Sequence, residues 1–382
     1  MDLTLSDEQR LLRESAERFV AGTYNAEHRR RMASEPHGFS AGLWKQFADL
    51  GWLALPISEA HGGLGGGAVE IGILMEAFGR GLVAEPYLST VVIGAALIAE
   101  RGSEAQRQAL LPKVADGSLY LAFAHSERAA RFELAEVATS ARKTAEGWRL
   151  DGRKTAVLDG TAAGQVIVSA RVVGDNGAAG KLCLFLVPAD ATGLTKRDFP
   201  RLGGGRACNL ELRDVRLPAD ALLGDGSDAL PAIEAVVDRA MAALGAEAVG
   251  IMQTLLDQTL EYTKIRKQFG RPLSANQVIR HRLADMAMNC DEARSMALRA
   301  ALMVDAEPVA RGRAASGAKA KIGKCARFVA EQSVQLHGAM GVTEELDIGS
   351  YFKRLLAFDT LFGGSAHHYR RHAALGGRSV QA

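Results

Sequence analysis

Apolar residues recur at helical spacing through the first third of the chain, alternate through the middle, and return to helical spacing until the end. Ser6-Asp7-Glu8-Gln9 reads as a capping box ahead of an apolar face of Leu11, Leu12, Phe19 and Val20. Helical patterns continue through residues 39–50, 71–82 and 89–101, with Pro and Gly between them. From about residue 117 the period becomes two, and residues 119–124, 148–154, 165–173, 182–188 and 209–217 read as strands. Asp151-Gly152 has the composition of a hairpin turn. Long helical patterns at 238–262, 276–303 and 308–337, then a last one from about 360 to 375, read as an antiparallel bundle. The expectation is an α+β chain: an all-helical domain over 1–116, a small barrel-like β domain over 117–226, and a four-helix bundle over 227–382.

Composition narrows the classes of function. A chain of 382 residues that is 48% hydrophobic can bury more than one core. Lys+Arg 46 against Asp+Glu 44 leaves a net charge of +2, with no basic block, so a nucleic-acid partner is not expected. Cys183, Cys208, Cys290 and Cys325 are dispersed and read as buried, reduced thiols, with no disulfide frame and no metal site. The first residues lack a basic region followed by an apolar one, and no apolar run reaches the ~18 residues of a membrane span. A cytoplasmic protein with a small-molecule or protein partner is expected. Gly62 to Ala68 contains a formal Gly-x-Gly-x-x-Ala, but no strand precedes it, so a dinucleotide-binding reading is rejected.

Residues 261–286 carry the densest signal. Tyr262, Ile265 and Phe269 fall at helical spacing, Gly270 reads as the glycine that ends the helix, and Pro272 bars its resumption. A second helix then starts at Gln277 with Val278, Leu283 and Met286. Arg266, Lys267 and Gln268 therefore crowd one helix C-terminus beside Gln277, which is also what a charged helix cap in a helical hairpin looks like. Tyr262…Arg266-x-Gln268-Phe269-Gly270…Gln277…Leu283-Ala284-Asp285-Met286 resembles the C-terminal signature of the acyl-CoA dehydrogenase family. Gln335-Leu336-His337-Gly338-Ala339-Met340-Gly341-Val342 is similar to that family's Gln-x-x-Gly-Gly-x-Gly, and the likeness extends weakly over almost the whole chain.

The resemblance implies α,β-desaturation of an acyl-CoA, with a carboxylate base taking the α proton and FAD taking the β hydride. It implies that Arg266, Gln268, Phe269 and Gln277 approach the ADP half of an FAD held mainly by a neighbouring subunit, so at least a dimer and in the family a tetramer. Gln335, Gly338 and Ala339 would approach the same cofactor, where missing side-chain bulk allows close contact; a tight helix end is the alternative for the glycines. An electron-transfer flavoprotein is the implied acceptor.

On the flavin-ring side the chain departs from the pattern. Phe123-Ala124-His125-Ser126-Glu127-Arg128-Ala129-Ala130-Arg131 stands where most members carry Thr-Glu-Pro-x-x-Gly-Ser-Asp. Lys154-Thr155-Ala156-Val157-Leu158 replaces Lys-x-Trp-Ile-Thr/Ser. Ser126 and Val157 are the ring contacts the resemblance leaves; His125 and Ser126 also read as an exposed loop pair.

The base is missing as well. Its usual position, the Glu of Tyr-Glu-Gly-Thr, is Gly363 in Phe362-Gly363-Gly364-Ser365, and the alternative position on the first long bundle helix is Ala240. Glu247, two turns further on, is the remaining candidate: a lone acid in an apolar stretch, expected to be buried with a raised pKa. A structural pairing with an Arg across the bundle is the competing role for it. Asp359 and the exposed-looking His367 and His368 are further candidates. These departures resemble the small subunits of two-gene bacterial acyl-CoA dehydrogenases, such as the pimeloyl-CoA dehydrogenase small subunit, in which a partner chain carries the base.

Overall fold

The N-terminal helices are set by their caps. In the computed structural model, which describes residues 4–174, 179–343 and 345–377, the Ser6 hydroxyl accepts the Gln9 amide at 3.2 Å and Gln9 returns the bond at 3.0 Å. Met1, Asp2 and Leu3, part of the stretch read above for a signal, lie outside the described residues. That capping box starts α1 (Asp7–Thr23). Val20 is buried and Leu12 and Phe19 pack partly, whereas Leu11 is 65% exposed and lies off the apolar face. After it come α2 (Ala26–Ala33), α3 (Ala41–Asp49) and α4 (Ala68–Gly81). Residues expected as one helix over 89–101 form a π-helical stretch, Leu88–Ala95, that continues into α5 (Ala96–Arg101); α6 (Glu104–Ala115) follows. The glycines at 62–67 spend their amides on the chain itself. Gly63, Gly65 and Gly66 donate to the carbonyls of Ser58, Ile57 and Leu55, so they offer no phosphate cradle.

The middle region is one curled seven-stranded sheet: β1 (Leu121–Ala124), β2 (Ser140–Thr144), β3 (Gly147–Leu158), β4 (Gln165–Val173), β5 (Ala179–Pro188), β6 (Leu194–Pro200) and β7 (Arg206–Leu217). The sheet order is β1-β4-β2-β3-β7-β6, with β5 on the other side of β4. Asp151-Gly152 is not the hairpin turn. It lies inside β3, where a register shift against β7 marks a bulge, and the β2–β3 reversal comes before Gly147. The strands β2 and β6 were not expected: their sequences, Ser-Ala-Arg-Lys-Thr and Leu-Thr-Lys-Arg-Asp-Phe-Pro, bury little and so show little apolar alternation.

The C-terminal helices are α7 (Leu230–Ile265), α8 (Gln277–Leu302), α9 (Pro308–His337), α10 (Ile348–Thr360) and α11 (Ser365–Leu375), with a two-stranded hairpin, β8 (Lys267–Gln268) and β9 (Arg271–Pro272), between α7 and α8. The last helix expected over 360–375 is α11, which starts only after the turn at 361–364, and α10 before it was not expected. α7 belongs to two cores. Ile233, Val236, Val237 and Met241 pack with the N-terminal helices, while Val249, Met252 and Leu255 pack into the bundle with Met286, Ile322 and Val329. It meets α4 at backbone contact: a Cβ on Gly79 would lie 2.1 Å from the Glu247 carbonyl oxygen, and one on Gly250 would lie 2.0 Å from that of Glu76. Neither position admits a side chain.

Candidate active site

Two sites emerge from this frame. The first lies at the far end of the bundle. α7 stops at Ile265, four residues before Phe269, and Phe269 (φ 52°) and Gly270 (φ 77°) make the left-handed turn of the β8–β9 hairpin. Gly270 is thus a hairpin glycine and not the helix cap, and Ile265 and Phe269 do not share a buried face: Ile265 is 76% exposed and Phe269 100%. Arg266, Gln268 and Gln277 are exposed too, with no side-chain hydrogen bond or ion pair among the described residues. Tyr262 stacks on His337 (ring centres 4.3 Å apart), which ties this end of α7 to the end of α9. Gln335, Gly338 and Ala339 are exposed there, and Gly338 (φ 60°) has nothing within 4 Å of where a Cβ would stand. Both sequence motifs therefore meet on one free surface, open to a large ligand.

The second is a cavity of ≈ 740 Å³ walled by the sheet, α7 and the turn before α11. Its floor is apolar, with Ile93, Phe123, Val237, Met241 and Phe362, and one side is the long loop from His125 to Glu136. Ser126 lines it, as do Thr155, Ala156 and Leu158. Val157 does not: strand alternation turns its side chain into the core of the sheet domain. His125 is buried, not an exposed loop residue; its Nδ1 lies 2.9 Å from the Ser169 hydroxyl, and burial with the nearby Lys154 charge lowers its pKa to about 4.

The root of that loop is pinned by a buried ion pair. Lys154 Nζ donates to Glu127 at 2.8 Å, to Ser169 Oγ at 3.0 Å and to the His125 carbonyl at 3.1 Å. Burial lowers the Lys154 pKa to about 8 against the pull of Glu127. Burial would raise Glu127, but Lys154 and three donors from Ala138 and Thr139 hold it below its usual range.

Of the two positions considered above for a base, the one at Gly363 is closed by its neighbours. Gly363 has φ 108°, and a Cβ there would lie 2.7 Å from His367 Cδ2 and 3.2 Å from His368 Nε2. The turn is held by Lys319, which donates to the carbonyls of Gly363 (2.9 Å) and Asp359 (3.2 Å) over the ring of Phe358. His368, expected to be exposed, is buried; its ring donates to the Phe362 carbonyl at 3.0 Å. His367 is half-buried beside it, and Asp359 bonds Ser365 and faces Arg327 outside the cavity. Ala240 is buried in the N-terminal core.

Glu247 is buried as expected, but it is not alone. Arg354 on α10 donates to it from Nε (2.7 Å) and Nη2 (2.6 Å), and it does not line the large cavity. This is the pairing with an Arg that the competing reading of Glu247 named. A residue the sequence reading missed is Glu234. It lines the cavity on α7 one stripe with Val237 and Met241, and burial raises its pKa. An acid inside that apolar i, i+3, i+7 row was the available signal.

Comparison with known proteins gives this arrangement a family. The acyl-CoA dehydrogenase N-terminal, middle and C-terminal domain families match residues 6–118, 122–215 and 231–374. The chain belongs to the acyl-CoA dehydrogenase family. It is an oxidoreductase of that kind, and it is 31% identical over 355 residues to the probable acyl-CoA dehydrogenase YngJ of Bacillus subtilis, covering 91% of this chain and 92% of the relative. Among solved structures, the ChsE4–ChsE5 complex of Mycobacterium tuberculosis matches with TM-score 0.87 and 27% identity over 100% of both chains. The glutaryl-CoA dehydrogenase of Mycobacterium smegmatis, determined with FADH2, matches with TM-score 0.89 and 25% identity, covering 99% of this chain and 97% of that one. The acyl-CoA dehydrogenase fold thus carries here a cavity lined by Glu127, Glu133, Glu136 and Glu234, with glycine at 363 and alanine at 240. Among the described residues no group of His, Cys, Asp and Glu could hold a metal, and no helix is long and apolar enough to cross a membrane.

Proposed function

We propose that this protein is a subunit of an FAD-dependent acyl-CoA dehydrogenase that desaturates a bulky or unusual acyl-CoA, with the catalytic carboxylate supplied by a second chain of the same fold. The observation that carries this reading is the filled base position: the space a side chain at Gly363 would enter is taken by two imidazoles, and Glu247 is committed to Arg354. The relative solved as a complex of two differently named chains supports a heteromeric assembly, and the one solved with FADH2 supports the cofactor.

When bound, FAD supplies the hydride acceptor. Residues fit its ADP half: Arg266 offers charge, Gln268, Gln277 and Gln335 offer amides whose side chains have no hydrogen bond among the described residues, and the open space at Gly338 and Ala339 admits close approach. Their exposure suits a cofactor shared across an interface in a dimer of dimers. An electron-transfer flavoprotein is the proposed acceptor.

The test is the visible spectrum of the chain purified alone, with flavin quantified after denaturation, against the same chain co-expressed with a second acyl-CoA dehydrogenase chain encoded beside it. Expected is little flavin and no turnover alone, and both on co-expression. One FAD per chain with turnover alone would overturn the reading, and Glu247→Gln would then decide whether that acid is the base. A chain that stays colourless in both preparations would make it a scaffold without chemistry.

A further inference from the structure

The loop that walls the cavity is built as a closed ring with one free edge. Glu127 at its start accepts from Ala138 N (2.8 Å), Thr139 N (3.0 Å) and Thr139 Oγ1 (2.6 Å) at its end, so a single carboxylate fastens the neck. Lys154 fixes that carboxylate to the sheet. Beyond the neck the returning half is also anchored: Val137 is buried in the N-terminal core and Leu134 packs against it.

Residues 128–133 are not anchored in this way. They contain no strand or helix, and the hydrogen bonds found for them stay within the loop: the Glu133 amide on the Ala130 carbonyl and the Glu136 amide on the Glu133 carbonyl. Arg128, Arg131, Phe132 and Glu133 are exposed. Yet this segment forms the outer wall of the cavity, and its ring contact and ion pair to the opposite wall, among the described residues, fall on His367. Phe132 sits against the His367 ring (centres 5.6 Å apart), and Glu133 Oε1 lies 3.9 Å from His367 Nδ1.

We propose that residues 128–133 are a gate over the cavity, hinged at the Glu127–Thr139 neck and latched to α11 by Phe132 and Glu133 on His367. A neck tied by four charge-assisted bonds, next to an edge held by one ring contact and one long ion pair, makes the edge open first. A compact loop with close ends moves as a unit while its root stays fixed. His367 is thus the shared point: it fills the base position on one side and holds the gate on the other. The gate controls access to the cavity whichever chain carries the base, so it stands or falls apart from the proposed assembly.

Two measurements test it on the full chain. In Phe132→Cys/His367→Cys, oxidised glutathione closes a disulfide across the latch, and the apolar fluorophore 8-anilinonaphthalene-1-sulfonate reports entry by stopped flow. Oxidation is expected to slow association about tenfold, with dithiothreitol restoring it. Equal rates in the oxidised and reduced protein, with the disulfide verified by mass, overturn the gate. Independently, Phe132→Ser is expected to speed tryptic cleavage after Arg128 and Arg131 about fivefold at an unchanged melting temperature, the loss of one aromatic contact. Cleavage at the wild-type rate would show that the latch holds nothing shut.

Discussion

A proton reaches His368 only by opposing the fold. Burial, with the charges of Lys319 and His367 beside it, holds its pKa at about 3, against 6.5 for the free side chain. The folded value is the lower one, so the stability tied to this histidine is whole above pH 6.5 and is lost as pH falls from 6.5 toward 3. Between pH 6.5 and 5 the loss approaches roughly 2 kcal/mol, and His368→Asn removes it. Melting curves of the two proteins at pH 7 and pH 5 are expected to converge or cross on acidification; a parallel drop in both would assign the acid sensitivity elsewhere, His125 being the next group with the same sign. Single residues like these were poorly legible in the sequence. That Glu247 is buried followed from its apolar neighbours, but its partner Arg354 lies 107 positions away. Lys154 and Glu127 meet because β3 runs near the end of β1, and neither local pattern announces the other.

The element that joins the molecule is α7, and its crossing with α4 is a sharper constraint than any side chain in it. Gly79 and Gly250 each face the partner helix's backbone at a distance no Cβ could occupy. Alanine in a helix interior is ordinarily better than glycine by about 1 kcal/mol. Here Gly250→Ala or Gly79→Ala is expected to destabilise by roughly 3 kcal/mol, because backbone cannot step aside as a side chain can. A melting temperature at or above the wild type in either variant would contradict the crossing. Elements with chemical punctuation were legible: the Ser6 box opens α1, and Pro308 and Gly338 bound α9. Elements without it were not. Phe269 in a left-handed turn gives no warning in its sequence, so the hairpin after Ile265 was read as helix. The turn at 362–365 was legible from its two glycines, whereas α10 before it was not read as a helix.

For the whole molecule, the order helix, sheet, helix followed from the change of apolar period, and the family from two motifs distant in sequence, whose meeting on one surface only the fold displays. That surface makes an assembly prediction. Arg266→Glu with Phe269→Ser leaves every buried contact intact, since both residues are exposed. Under the proposed shared cofactor it is expected to lower flavin content and mass together, read by flavin assay and light scattering; flavin lost at constant mass would separate cofactor binding from assembly.

The filled turn at 363 also has a historical meaning. For an acid to appear there, the backbone must leave φ 108°, His367 must move, and His368 must give up its bond to the Phe362 carbonyl. An acid introduced at 363 alone would be strained, because the φ and both imidazoles still stand where they do now. Under the proposed assembly the turn works as a ratchet: an acid returns to that position only together with changes at its neighbours, and the chemistry stays tied to the gene of the second chain.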